Sequence, residues 1–367
     1  MTSMLETRVS ETLGVPYPIF GFTHSPDAVT EVSLAGGIGV LGATRNTPDE
    51  IRQMLKDIRE RIGDRLFGVD LVIPRGMPEQ NNREDIEAQL PTEHKTFVSH
   101  LYEKYKVPAA SGPGMRSRFV RSEESARRQL EVVLESDVNV LALGVGSPPE
   151  VIDAAHDAGK TVVALVGSPR NARHAVDGGA DIIVAQGYDA GGHTGKIGTF
   201  SLISQIVDMA GDIPVVAAGG VATGRHIAAS FALGAEGVWM GSAWLFAKEN
   251  HTEPVILQKL IEAGAEDTLI TRADSGKTLR QIKTAWSEEW EQPEAPDPLR
   301  MPFQDILIGD LLGAIGEHQV EPLMHTPAGQ GIANYDAETT VAEIMAGLIS
   351  EAEGVLERGG AARRPEA

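Results

Sequence analysis

Eight short runs rich in Val and Ile recur along the chain, at 18–22, 39–43, 67–73, 138–143, 161–166, 181–186, 214–218 and 237–240. Between them lie longer amphipathic segments suited to helices, such as 48–62, 122–135, 148–158 and 224–233. A run that is apolar throughout, rather than alternating, is the pattern of a strand buried on both faces, and strands that alternate with helices build parallel sheets. Eight is the number that closes a barrel, so the expected fold is a (β/α)₈ TIM barrel. The competing open, doubly wound sheet would carry a G-x-G-x-x-G turn after an early strand. The nearest candidate, Gly36-Gly37-Ile38-Gly39, precedes its strand instead.

Two stretches exceed eight plain repeats. Residues 74–118 interrupt the third unit at the C-terminal end of its strand, the side on which barrel enzymes carry their active sites, and read as a lid-like insertion. From 262 to 355 the chain becomes helical and loop-rich, with the acidic, Pro-rich stretch 288–298, an appendage that could pack on the barrel or form a homodimer surface. The expected organisation is therefore a barrel over 10–261, that insertion, that appendage, and a disordered tail at 356–367.

Composition narrows the function. The formal charge of −20 argues against a nucleic-acid partner or an anionic membrane surface. The absence of cysteine removes disulfides, thiolate nucleophiles, Fe–S clusters and zinc–thiolate sites, and no metal site is expected elsewhere. No stretch of about 18 unbroken apolar residues is present and the first residues hold no apolar signal core, so a cytoplasmic protein is expected.

Candidate chemistry clusters at strand ends. The seventh run leads into Gly219-Gly220 and the eighth into Gly241-Ser242, where backbone amides could approach a phosphate. The same glycines could simply make tight turns. After the sixth run comes Gln186-Gly187-Tyr188-Asp189-Ala190-Gly191-Gly192-His193-Thr194-Gly195. Glycines there would let the backbone pass closely under a planar ligand, with His193 at the mouth as a proton-transfer group, unless it is a surface histidine on a flexible loop. Gln186 could offer its amide to a ring edge or serve the fold alone.

These segments, together with 213–221 (IPVVAAGGV) and 233–242 (LGAEGVWMGS), resemble the nitronate monooxygenases, also called 2-nitropropane dioxygenases, and the related FMN-dependent enoyl-reductases. Supporting matches are Leu13-Gly14-Val15-Pro16-Tyr17-Pro18-Ile19, residues 35–42 (AGGIGVLG), Phe67-Gly68-Val69-Asp70 and Ser275-Gly276-Lys277, so the similarity spans roughly 10–350 with 74–118 outside it. The resemblance implies a flavin-dependent oxidoreductase that uses FMN and O₂ to oxidise alkyl nitronates. His193 would be the base, Gly219, Gly220, Gly241 and Ser242 would hold the FMN phosphate, and Gly21, Phe22, Asp70, Gln186, Gly191 and Gly192 would border the cofactor.

Two positions depart from the family pattern. Where the family usually has Ala-Pro-Met, this chain has Phe22-Thr23-His24-Ser25, so His24 and Ser25 either contact substrate or cap the following helix. Asp70 stands where Asn is common; a carboxylate there could accept from the flavin N3–H but would be repelled by the neighbouring carbonyl. The basic positions His94, Lys95, His100, Lys104, Lys106, Arg116, Arg118 and Arg121 could hold an anionic handle, such as the phosphates of an acyl-CoA or a nicotinamide dinucleotide, or be spent in internal ion pairs. An NAD(P)H-dependent reductase acting on an enoyl- or acyl-CoA-like substrate is therefore the alternative function.

Overall fold

The computed structural model describes residues 4–73, 76–79 and 82–361. All eight apolar runs become strands: β1 Ile19–Thr23, β2 Ile38–Gly42, β3 Phe67–Val72, β4 Val140–Gly144, β5 Thr161–Val166, β6 Ile182–Gln186, β7 Val215–Ala218 and β8 Gly237–Met240. They pair in parallel in chain order, and β8 returns to β1 with Phe20 opposite Trp239, which closes the barrel.

Alternation along the strands divides the apolar side chains between two layers. Phe20, Val40, Val140, Val163, Val184, Val216 and Trp239 fill the barrel. Their neighbours Leu41, Val69, Leu141, Ile183 and Val238 pack outward on the helices. An aromatic stack, Phe20 on Trp239 (5.7 Å) and Trp239 on Phe22 (5.8 Å), rises through the interior towards the mouth. Helices after β1, β2, β5 and β7 begin at the hydroxyl caps Ser25, Thr47, Ser168 and Thr223, which satisfy first-turn amides and fix where each helix leaves the mouth.

The insertion and the appendage share one apolar core and form a second body beside the barrel. Helix Thr92–Lys104 lays Val98 and Leu101 against Ile308 and Leu311 of helix Phe303–Glu317, and Phe97 meets the Trp290 ring edge-on at 4.9 Å. Close approach depends on small residues: a Cβ at Gly309 would lie 2.5 Å from that of Ser117, and one at Gly114 2.1 Å from the Gly309 carbonyl oxygen. The last helix, Val341–Ala361, leaves this body and packs on the barrel helix Gly224–Ala232. It carries residues 356–361, part of the stretch expected to be disordered, as helix; residues 362–367 lie outside the described residues, as do 74, 75, 80 and 81 of the insertion.

A three-stranded antiparallel sheet, Thr268–Thr271, Leu279–Ile282 and Gly192–His193, joins the second body to the barrel. Among the described residues no helix is long and apolar enough to cross a membrane.

Gly309→Val should force Ser117 and the 114–118 segment away from helix Phe303–Glu317. Overpacking of this kind costs about 1–3 kcal/mol. We expect a lowered Tm and faster proteolysis within 82–120 while the far-UV dichroism of the barrel is kept; unchanged proteolysis would show that this contact does not hold the insertion down.

Candidate active site at the barrel mouth

The loop after β6 is folded tightly on itself. Gly187 N–H donates to the Ala218 carbonyl (3.0 Å), Tyr188 N–H to Ile197 (2.7 Å), Thr194 Oγ1 to the Gly187 carbonyl (2.7 Å), and Gln186 Nε2 to the His193 carbonyl (2.7 Å). The Gln186 amide is thus spent on the loop. His193 lies opposite Leu279 in the three-stranded sheet, and its Nε2 is 2.7 Å from Ser275 Oγ. The Nδ1 atom has no hydrogen bond among the described residues. Burial first, then the positive charges of Arg121, Lys277 and Arg116, push the imidazole down to about 4, so it is neutral at physiological pH.

Ser275 is itself anchored through Asp274, which is fully buried and takes hydrogen bonds from Arg116 (2.8 Å), Trp286 Nε1 (2.9 Å) and His325 Nε2 (3.1 Å). Burial alone would raise this carboxyl, but His325 and Arg116 hold it well below the usual carboxylate range.

Across the mouth, His24 Nδ1 is 2.7 Å from the Gly42 carbonyl, which can only accept, so Nδ1 carries the proton and Nε2 is the free acceptor. Burial foremost lowers the pKa of His24, with further lowering by Arg45, Arg116 and Arg121, yet its side chain keeps an exposed surface. A group that is deeply enclosed and still exposed lines an open chamber. Asp70, pointing inward from β3 beside it, makes no side-chain hydrogen bond among the described residues, and burial pushes it up to about 7 against the opposing pull of Arg121.

Ser25 is the helix cap rather than a mouth residue: its Oγ donates to the Glu249 carbonyl (2.6 Å) and accepts from Ala28 N–H (3.4 Å). Gly21 faces the helix layer, where a Cβ would come 2.7 Å from a Val32 methyl, so packing accounts for it. Phe22 faces inward beneath the chamber, edge-on to His24 at 5.3 Å. Gly191 is pressed on the 328–329 backbone, with Gly329 N 2.6 Å from where a Cβ would stand, whereas around Gly192 that space is open.

The two glycine loops sit at the ends of β7 and β8. Gly219 and Gly220 have φ of +97° and +73°, a left-handed pair that other residues adopt only with strain. The backbone amides of Gly220, Val221 and Ser242 donate no hydrogen bond among the described residues. Ser242 Oγ accepts from Gly329 N–H (2.8 Å), leaving its own proton available. Unspent donors on two adjoining strand-end loops suit a phosphate.

Reading the sequence missed Arg45, Asp274, Trp286, His325 and the 328–331 turn. Asp274 had a signal, standing next to the matched Ser275-Gly276-Lys277; Arg45, His325 and the 328–331 turn lie in irregular segments with no periodicity, and Trp286 lies in the short helix Ala285–Trp290. Of the basic insertion residues, Lys104 pairs with Glu289 (2.6 Å), Arg118 with Glu50 (2.6 Å) and Arg116 with Asp274 (2.8 Å), so these three serve ion pairs.

The chain is similar to known proteins along nearly its whole length. The family profile described as nitronate monooxygenase matches residues 7–351. A Mycobacterium tuberculosis protein assigned as a monooxygenase is 37% identical over 365 residues, covering 95% of this chain and 96% of its own. A Bacillus subtilis protein assigned as a nitronate monooxygenase is 30% identical over 346 residues, 91% and 94% of the two chains. Among solved structures, nitroalkane oxidase from Streptomyces ansochromogenes superposes with a TM-score of 0.80 at 28% identity over 95% of this chain and 99% of that one. FabK from Thermotoga maritima does so with 0.76 at 27% identity over 97% and 99%.

The raised Asp70 carboxyl has a measurable consequence. The folded chain holds this proton up to about pH 7, whereas the unfolded chain releases it near its ordinary value of 3.8. Folded stability from this group is therefore full below about pH 4 and drains away as pH rises to about 7. Asp70→Asn should have a Tm advantage over the parent that grows from pH 4 to pH 7 and then levels off; an advantage independent of pH would mean that Asp70 ionises normally.

Proposed function

The chain belongs to the nitronate monooxygenase family and is a flavin-dependent oxidoreductase, and from that premise we propose that it oxidises alkyl nitronates with O₂, using FMN as the flavin and His193 as the base. The observation that carries this reading is the neutral His193, held through Nε2 by Ser275 at 2.7 Å with Nδ1 unspent, at the edge of the chamber.

The residues present fit FMN. Gly220, Val221 and Ser242 offer three unspent amides and a hydroxyl for its single phosphate, with Gly219 and Gly241 shaping the two turns. Phe22 on Trp239 supplies an apolar floor for a planar ring system. When bound, the flavin supplies the two-electron acceptor and passes the electrons to O₂. The protein's own work is to position and to manage one proton. With Ser275 Oγ accepting from Nε2–H, the Nδ1 lone pair of His193 is free to take the α-proton of a neutral nitroalkane and so generate the nitronate, or to orient a nitronate that arrives already ionised; the Ser275 contact persists when the ring is charged. Neutral His24 presents an acceptor nitrogen on the opposite wall. The second body covers the mouth and limits water. We further propose that the protein acts in the cytoplasm on a small-molecule substrate.

The likeness to FabK supports a second reading, reduction of an enoyl- or acyl-CoA-like substrate with NAD(P)H. Anaerobic mixing of the flavin-loaded protein with an alkyl nitronate, and separately with NADPH, distinguishes the two: bleaching of the flavin near ~450 nm by the nitronate alone is expected, and bleaching by NADPH alone would replace the first reading with the second. In the same assay with a neutral nitroalkane, His193→Asn should keep its flavin and lose about 100-fold or more in rate. The acid limb of kcat/KM should fall nearer 4 than the ordinary 6.5 of histidine; undiminished turnover in the variant would remove His193 as the base.

Gly220→Val places a branched side chain at φ +73°, with its Cβ 3.1 Å from that of Asp189, in the turn offered to the phosphate. It should purify with little flavin, read from the ratio of visible to ultraviolet absorbance, and full occupancy would refute the assignment of this loop.

A further inference from the structure

One set of charges in the chamber is left unexplained by flavin and base. Arg45 follows β2, and Arg121 lies just beyond the insertion; both guanidinium groups are enclosed by protein, and Arg121 acts electrostatically on Arg45. Among the described residues neither forms an ion pair with a carboxylate: Arg45 makes no side-chain hydrogen bond, and Arg121 touches only Met301 Sδ, at 3.7 Å. Both retain partial solvent contact, as His24 does, so they face the chamber rather than packed protein.

The surrounding charges do not balance. Arg116 and Arg121 repel Arg45, Arg116 repels Arg121, and Arg121 repels Lys277. Against these four cations stand Asp274, already committed to Arg116 and His325, and Asp305, which lies 3.7 Å from Arg116 Nη1, acts electrostatically on Arg45, Arg121 and Lys277 as well, and accepts no hydrogen bond among the described residues. Asp70, pushed up to about 7, is only about half ionised near neutral pH. Burial and mutual repulsion push the Arg45 guanidinium well below its usual range, with burial the larger cause. Enclosed cations without partners are costly, and proteins keep them where a ligand completes the pair.

The phosphate of the flavin is not that ligand. Its cradle is built at β7 and β8, whereas Arg45 and Arg121 belong to the β2 and β3 side of the mouth. We propose that Arg45 and Arg121 form a second anionic subsite, which takes a carboxylate or phosphate carried by the substrate at the end remote from the reacting carbon. Two guanidinium forks match the paired oxygens of either group. This deepens the function proposed above and rests on it only for the reaction performed at the other end of the substrate.

Equilibrium binding tests the subsite without turnover. Calorimetric titration of the flavin-loaded protein with succinate probes the carboxylate source and with adenosine 3′,5′-bisphosphate the phosphate source. The parent protein should bind at least one, and Arg45→Met and Arg121→Met should each weaken that ligand at least about tenfold, the loss expected when one partner of a buried charge pair is removed. Arg→Lys at either position, which keeps charge but not the fork, should fall between. Flavin content should stay at the parent level, and Tm without added anion should not fall, because Met removes an uncompensated charge. Failure of the parent to bind either anion, or equal binding by parent and Met variants, overturns the proposal; so does loss of flavin from the Met variants, which would give the pair to the cofactor instead. Anion binding that depends on both arginines in a protein inert towards nitronates would leave the subsite standing and reject the proposed reaction.

Discussion

Everything at the mouth depends on one short backbone pairing, that of Gly192–His193 with Leu279–Ile282. A glycine-rich loop after a barrel strand has no conformation of its own to defend. Here it is given one by an added strand from some eighty-five residues downstream, and Arg280 completes the graft: its guanidinium donates twice to the Tyr188 carbonyl, at 3.2 and 3.1 Å, and lies 4.6 Å over the Tyr188 ring. The same ladder delivers Ser275 to the imidazole. The second body is therefore part of the active site's framework as well as its cover, and the buried Asp274 with its three donors ties that framework back to the insertion through Arg116.

The electrostatics follow from the enclosure. Partially enclosed walls keep His193 and His24 neutral and raise the proton affinity of Asp70, while several cations persist because guanidinium is too strong a base to shed its charge readily. The chamber thus combines uncharged groups able to exchange protons with fixed positive charge, inside a chain whose formal charge is −20. Overall charge and local potential have opposite signs, and only the local one bears on what enters the mouth.

Much of this was legible from sequence. The eight apolar runs became the eight strands because a strand buried on both faces cannot hide its composition, and the glycine loops and His193 were located because barrels place chemistry at strand ends. In sequence Ser25 stays open between cap and contact, and Gly21 reads as a cofactor contact, for a physical reason: a hydroxyl before a proline-initiated helix serves as a cap, and a strand glycine serves helix packing, in residue types equally suited to ligand contact. Arg45, Asp274 and His325 were passed over because their partners are distant in sequence and their segments have no period. That the insertion shares a core with the appendage was not legible because Val98 and Leu101 cluster with residues such as Ile308 and Leu311 far along the chain, an association no local pattern reveals.

That shared core imposes an order of events. During synthesis the helix Thr92–Lys104 emerges some two hundred residues before the helix that buries it, and all barrel strands from β4 to β8 are made in the interval. Val98, Leu101 and Phe97 wait without their partners while the barrel closes beneath them, and contacts so far apart in sequence form slowly. A nascent chain stalled between Met240 and helix Phe303–Glu317 has a barrel sequence that is complete in its strands and a helix whose apolar face lacks part of its cover. Such a chain is one for chaperones to recognise, and the same separation makes the C-terminal third of the protein the last step in assembling a mouth whose base lies near the middle.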